Sequence, residues 1–139
     1  MVAPAGELVI VAGQTGVDAA GRPVGDAAAQ TRQALANVGA VLAAAGCGWR
    51  DVVRLQTFLT RAEDVPAFMD ARRAVFAEHF PDGGYPPNTL VIVSRLVQPE
   101  LLVEIEAMAV RPGARRQRLG PAASRPRRAS RGARRRTRR

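Results

Sequence analysis

The chain has 139 residues, enough for one domain with a buried core. Apolar residues make up 47% of it, which excludes disorder along the whole length, yet no apolar run approaches the roughly 20 residues that cross a bilayer. The net charge of +9 misleads, because residues 111–139 hold 13 of the 21 arginines and no acid, leaving 8 arginines against 12 acids in residues 1–110.

The body is therefore acidic, and its composition changes near Arg111-Pro112-Gly113, where Arg, Pro, Ala, Ser and Gly take over. Residues 1–110 read as one globular domain and residues 111–139 as a disordered, arginine-rich tail. The tail could neutralise phosphates, but it offers no aromatic ring on which a base could stack, so any nucleic-acid binding there is expected to be non-specific. Arginine without lysine also fits the coding bias of a G+C-rich genome.

The opening MVAPAGELVIVAGQ lacks the basic start and the long apolar stretch of a secretory leader. A single cysteine, Cys47, can form no intrachain disulfide, and with one histidine it cannot complete a four-ligand zinc site. A soluble, cytoplasmic protein without a membrane partner is expected.

In chain order, ELVIVAGQ (7–14) reads as a short buried strand, followed by the turn-rich connector DAAGRPVGD. From Asp26 to Ala45 the pattern is helical: Asp26 can cap, and Leu35, Val38, Leu42 and Ala45 recur at spacings of three and four. Gly46 and Gly48 end that helix. DVVRLQTFLT (51–60) alternates, with Val53, Leu55, Thr57 and Leu59 on one face and Arg54, Gln56 and Phe58 on the other. EDVPAFMDARRAVFAEHF (63–80) forms a second amphipathic helix, with Pro66 tolerable only in its first turn and Val65, Phe68, Val75, Phe76 and Phe80 facing inward.

Two strands follow, NTLVIVSRL (88–96) and LLVEIEAMAV (101–110). In the last, Val103, Ile105, Ala107 and Ala109 share one face, and Glu104, Glu106 and Met108 the other. The order β-α-β-α-β-β predicts an α+β fold with both helices on one side of a sheet.

Chemistry has few places to sit. Glu104 and Glu106 are the acid/base candidates, because a shielded carboxylate beside a second one has its pKa raised towards neutrality; a solvated strand face is the plain alternative. His79 has no serine or cysteine partner in a recognisable arrangement and reads as a surface or capping residue. Cys47, between glycines, reads as a semi-buried small side chain, and Trp49 as a packing residue. GQTGVDAAG lacks both the spacing and the lysine of a phosphate loop.

Five stretches together carry a resemblance: VIVAGQTGVDAAG, AAAQTRQALANVGAVLAAAGCGWRDVVRLQTFLT, AVFAEHFPD, PPNTLVIVSRL and LLVEIEAMAV. In this order, over about residues 7–110, the chain resembles the RidA/YjgF family of imine/enamine deaminases. The resemblance implies a chorismate mutase-like fold, a homotrimer whose sheets form a central barrel, small-molecule ligands in intersubunit clefts, and no metal or organic cofactor.

It also implies site residues. Glu104 matches the family glutamate that positions the attacking water, and Gly13 and Gln14 match as well. Where active members carry Pro-Ala-Arg-Ser/Thr, this chain reads Pro86-Pro87-Asn88-Thr89, so Asn88 stands in the place of a carboxylate-clamping arginine. An asparagine lacks that charge and bidentate fork, a loss of about 2–4 kcal/mol. Arg73 stands where the resemblance places an asparagine, Ala12 where it often places a serine, and no Gly-Pro-Tyr-Ser stretch supplies the family tyrosine. An arginine-lacking branch is implied, binding a less anionic ligand through Asn88, Thr89 and Arg73. A non-catalytic binding or regulatory trimer is the alternative, and an RNA-binding or RNA-cleaving protein using the tail is a third.

Overall fold

The computed structural model describes residues 2–112, which form β1 (Gly6–Thr15), α1 (Ala27–Ala44), β2 (Val52–Leu59), α2 (Val65–His79), β3 (Asn88–Ile92) and β4 (Val103–Pro112). The β-α-β-α-β-β order is the one the sequence predicts. β4 runs two residues past the compositional boundary at 110, and the arginine-rich segment beyond it lies outside the described residues.

The four strands make one sheet in the order β1-β4-β2-β3. β4 is antiparallel to both of its neighbours, and β2 is parallel to β3. α1 and α2 are thus crossovers between parallel strands, and the last strand inserts between β1 and β2. Its alternation explains the fit: Val103, Ile105, Ala107 and Ala109 are all buried in the cluster that also holds Leu35, Val38 and Leu42 of α1 and Phe68 and Phe76 of α2.

Helix ends follow from local chemistry. Asp26 accepts a hydrogen bond from the Ala29 amide at 2.9 Å, capping α1. At the other end Gly46 adopts φ +73°, and the Gly46 and Cys47 amides donate to the Ala43 and Leu42 carbonyls at 3.0 and 2.8 Å. This is a Schellman closure, sealed by the buried pair Leu42 and Cys47. Pro66 sits in the first turn of α2, and Trp49 packs against Phe76, His79 and Phe80.

Three expectations need correction. β1 is an edge strand rather than a buried one: Val9 and Val11 face the helices, while Leu8 and Ile10 are 60% and 66% exposed. A strand that is apolar on both faces does not reveal which face the helices cover. In β2 a bulge against β4 falls between Val52 and Arg54, so Val52 takes the inner place expected for Val53. β3 stops at Ile92, where its partner β2 ends at Leu59 and leaves Val93 only a last bond to the Leu59 carbonyl.

Gly46→Ala should lower the unfolding free energy by about 1 kcal/mol, because alanine resists the left-handed conformation. Gly48→Ala, at φ −123°, should cost much less. Urea titration of the two variants separates them.

Candidate functional site

The alternation that buries Val103 and Ile105 turns Glu104, Glu106 and Met108 to the face without helices. Cross-strand register sets Phe58 opposite Glu104, Gln56 opposite Glu106 and Arg54 opposite Met108. On the other side Thr15 of β1 lies opposite Glu104. A second bulge interrupts β1 here: the pairing jumps from Val11–Ala107 to Gln14–Ile105, leaving Ala12 and Gly13 outside the ladder.

That bulge receives the carboxylate. A Cβ built on Gly13 would stand 2.0 Å from Glu104 Oε1, so the Glu104 side chain lies directly on bare backbone. Gln14 folds back over the bulge, its Nε2 donating to the Ala12 carbonyl at 3.2 Å and more weakly to that of Gly13. The structure thus brings Gly13 and Glu104 together, with Gln14 beside them. Burial, and secondarily the charge of Glu106, hold the Glu104 carboxyl above its ordinary pKa. Among the described residues neither carboxylate has an ion-pair partner.

Asn88 is placed differently. Thr57, 1% exposed on the helix side of β2, donates its hydroxyl to Asn88 Oδ1 at 3.1 Å. Asn88 therefore points to the face opposite Glu104, as does Leu90, which packs on the core. Thr89, in register with Gln56, lies on the Glu104 face. Arg73 projects into solvent from α2 and pairs with Asp70 at 2.8 Å, on the other side of the sheet from Glu104.

Its neighbour Arg72 is the guanidinium that meets the loop leading to Asn88. Arg72 Cζ lies 4.6 Å from the centroid of the Phe76 ring and 5.9 Å from that of Tyr85, its Nε buried without a hydrogen-bond partner among the described residues. Desolvation pushes its pKa below the ordinary arginine value.

Sequence reasoning missed the side chains that hold the site in place. Gln30, 1% exposed, donates to the Glu100 carbonyl at 2.9 Å and accepts from the Leu102 amide at 2.8 Å, fixing the chain just before β4. Asn37 donates to the Thr15 and Val17 carbonyls at 3.0 and 3.1 Å, fixing the end of β1. A signal for Gln30 was present. It falls with Ala27, Thr31, Ala34, Leu35, Val38 and Leu42 on one buried stripe of α1, where a polar residue needs partners.

Glu104 is the group equipped for proton chemistry, being partly shielded and held where a water on the open face could be oriented. Among the described residues no cluster of His, Cys, Asp or Glu could hold a metal ion. A carboxyl whose pKa rises on folding binds its proton more tightly in the native state, so its contribution is fully present below the unfolded pKa and is lost as pH rises through the folded one. Glu104→Gln should therefore raise Tm at neutral pH, with the gain disappearing below about pH 4. Thermal melts across pH check this; a pH-independent change in Tm would refute it.

Residues 1–111 match the family described as Endoribonuclease L-PSP. A 2-iminobutanoate/2-iminopropanoate deaminase of Salmonella typhimurium is 37% identical over 107 residues, 76% of this chain and 81% of that one. A RutC family protein of Synechocystis sp. is 39% identical over 88 residues, 63% of this chain and 64% of its own length. Among solved structures, Escherichia coli TdcF with bound serine superposes with a TM-score of 0.70 at 34% identity, covering 76% of this chain and 82% of that one. The YjgF gene product of the same organism gives 0.70 at 36% identity, with the same coverage. The fold, the family match and these relatives agree: the chain belongs to the RidA/YjgF family, described as Endoribonuclease L-PSP.

Proposed function

We propose that the chain is a small-metabolite-binding trimer that hydrolyses an imine or related C–N compound, with Glu104 orienting the attacking water. The observation that carries this reading is the Glu104 carboxylate seated on Gly13, without an ion-pair partner among the described residues and raised in pKa on an open sheet face. A carboxylate that is easier to protonate can take the proton from water as its oxygen attacks the imine carbon, then return it as ammonia leaves. Two relatives support the substrate class by name: the Salmonella deaminase acts on 2-iminobutanoate and 2-iminopropanoate, and TdcF binds serine.

The assembly follows from the same face. Leu8, Ile10 and Val91 are exposed on the same face as the two glutamates, and no helix covers them. Partner sheets would shield this surface and remove the open strand edges. Sedimentation velocity of the full chain should give a trimer; a stable monomer at micromolar concentration would remove the intersubunit cleft from the proposal.

Substrate preference follows from Asn88. Its amide oxygen accepts from Thr57 and the side chain carries no charge, so a ligand carboxylate finds no charged, bidentate clamp at this position. This makes the chain an arginine-lacking member that favours less anionic substrates, with Thr89 the polar contact left on the open face. Freshly generated 2-iminobutanoate should be hydrolysed slowly by the wild type. Asn88→Arg, whose longer side chain can round the edge strand β3 to the open face, should raise the rate, and Glu104→Gln added to it should abolish the gain. Wild-type turnover unaffected by Glu104→Gln would defeat the assignment of Glu104.

A further inference from the structure

We infer that Asn37 and Gln33 of α1 are positioning residues for Glu104, which hold from the helix side the β1 bulge beneath its carboxylate; their role rests on the proposed reading of Glu104 as the reactive group.

The bulge is a choice of register. Val11 lies opposite Ala107, and a regular ladder continuing from that pair would set Gly13 opposite Ile105 and Gln14 opposite Glu104. Residues opposite each other in an antiparallel ladder share a face. Gly13 would then turn to the core with Ile105, and the Gln14 side chain would stand beside Glu104. Instead Gln14 pairs with Ile105 and Thr15 with Glu104, and the extra residue leaves bare backbone under the carboxylate. A ladder does not pair its bulged residue, so contacts outside the ladder must favour this register.

Asn37 supplies them. Its Nδ2 donates to the Thr15 and Val17 carbonyls, on either side of Gly16, and Thr15 is the residue opposite Glu104. A slip into the regular ladder would move Thr15 one residue along β4, about 3.3 Å, enough to break a hydrogen bond of 3.0 Å. Gln30 ties the same helix to the chain before β4, so α1 gauges one strand against the other.

Gln33 decides which end of the Asn37 amide meets β1. Carbonyls only accept, so the NH2 group must face Thr15 and Val17 and the oxygen must face away. Gln33, one helical turn earlier, donates its Nε2 to that oxygen at 2.9 Å. The whole relay is part-buried, where a lost bond is costly to replace. Neither amide is ionisable. Glu104 faces the uncharged Thr15 and Phe58, and the charge that acts on it is that of Glu106 on its own strand. A change in its titration on replacing Asn37 or Gln33 therefore reports its seat.

The test is a pH titration of the full chain labelled with ¹³C-glutamate, read at the side-chain carboxyl resonance that Glu104→Gln removes. Asn37→Ala should lower the Glu104 midpoint towards the ordinary carboxyl range, because a carboxylate off its seat regains water. Gln33→Met should lower it by a smaller step. Gly46→Ala, at the far end of the same helix, should lower stability and leave the midpoint in place.

An unchanged or raised midpoint in Asn37→Ala would overturn the assignment. So would an equal shift in Gly46→Ala, which would mark lost stability rather than lost position. If Asn37→Ala does not fold, an unchanged midpoint in Gln33→Met overturns it equally. No turnover is read: hydrolysis of 2-iminobutanoate that proved independent of Glu104 would defeat the proposed reaction and leave the result on position standing.

Discussion

The arrangement of the open face depends on where β4 is pinned, and one buried amide does the pinning. Gln30 reaches from α1 to the two backbone groups that precede β4, accepting from one and donating to the other. Both ends of the amide are satisfied, so its burial carries no penalty for an unmade hydrogen bond. Its Cα and Cβ press against Gly16, where a Cβ would come within 2.4 Å, so the end of β1 must be bare for α1 to approach. With Asn37 holding the Thr15 and Val17 carbonyls, α1 sets both the β1 bulge and the start of β4. Glu104 and Gly13 meet because two amides on one helix register the strands that carry them.

The result is a sheet with unequal faces. One is closed by helices and nearly free of charge, with Thr57 the main polar group and its hydroxyl spent on Asn88. The other gathers Glu104, Glu106 and Arg54 among apolar neighbours, without an ion pair between them. Exposed pairs elsewhere on the molecule contribute little to stability. A partly desolvated carboxylate without a partner costs stability instead, and such groups concentrate where a protein binds or reacts. The raised pKa of Glu104 is the mark of that cost.

Asn88 shows how one position can close one chemistry and leave another. An arginine there would send a cation from the edge strand, whereas asparagine is short enough to be captured by Thr57 on the helix side. Arg72 stacks on the rings of Phe76 and Tyr85 and braces the loop before it. Arg54 remains on the open face with a neutral partner.

The order of the elements was legible in the chain, because helix and strand periodicities differ and because Asp26 and Gly46 are strong local start and stop signals. So was the set of β4 residues that face the core, since a clean alternation allows one assignment. The resemblance to the RidA/YjgF family was legible in stretches spread over the whole body. The exposure of β1 was not, because its two faces are equally apolar. Nor were the bulges at Val53 and at Ala12–Gly13, because a bulge is fixed by the partner strand. The placing of Asn88 and Glu104 on opposite faces was hidden too. It followed from the parallel pairing of β2 with β3, which sets Leu90 beside Thr57 and so turns Asn88 towards the helices. Contacts between residues distant in sequence decided those features, and local propensity carries no information about them.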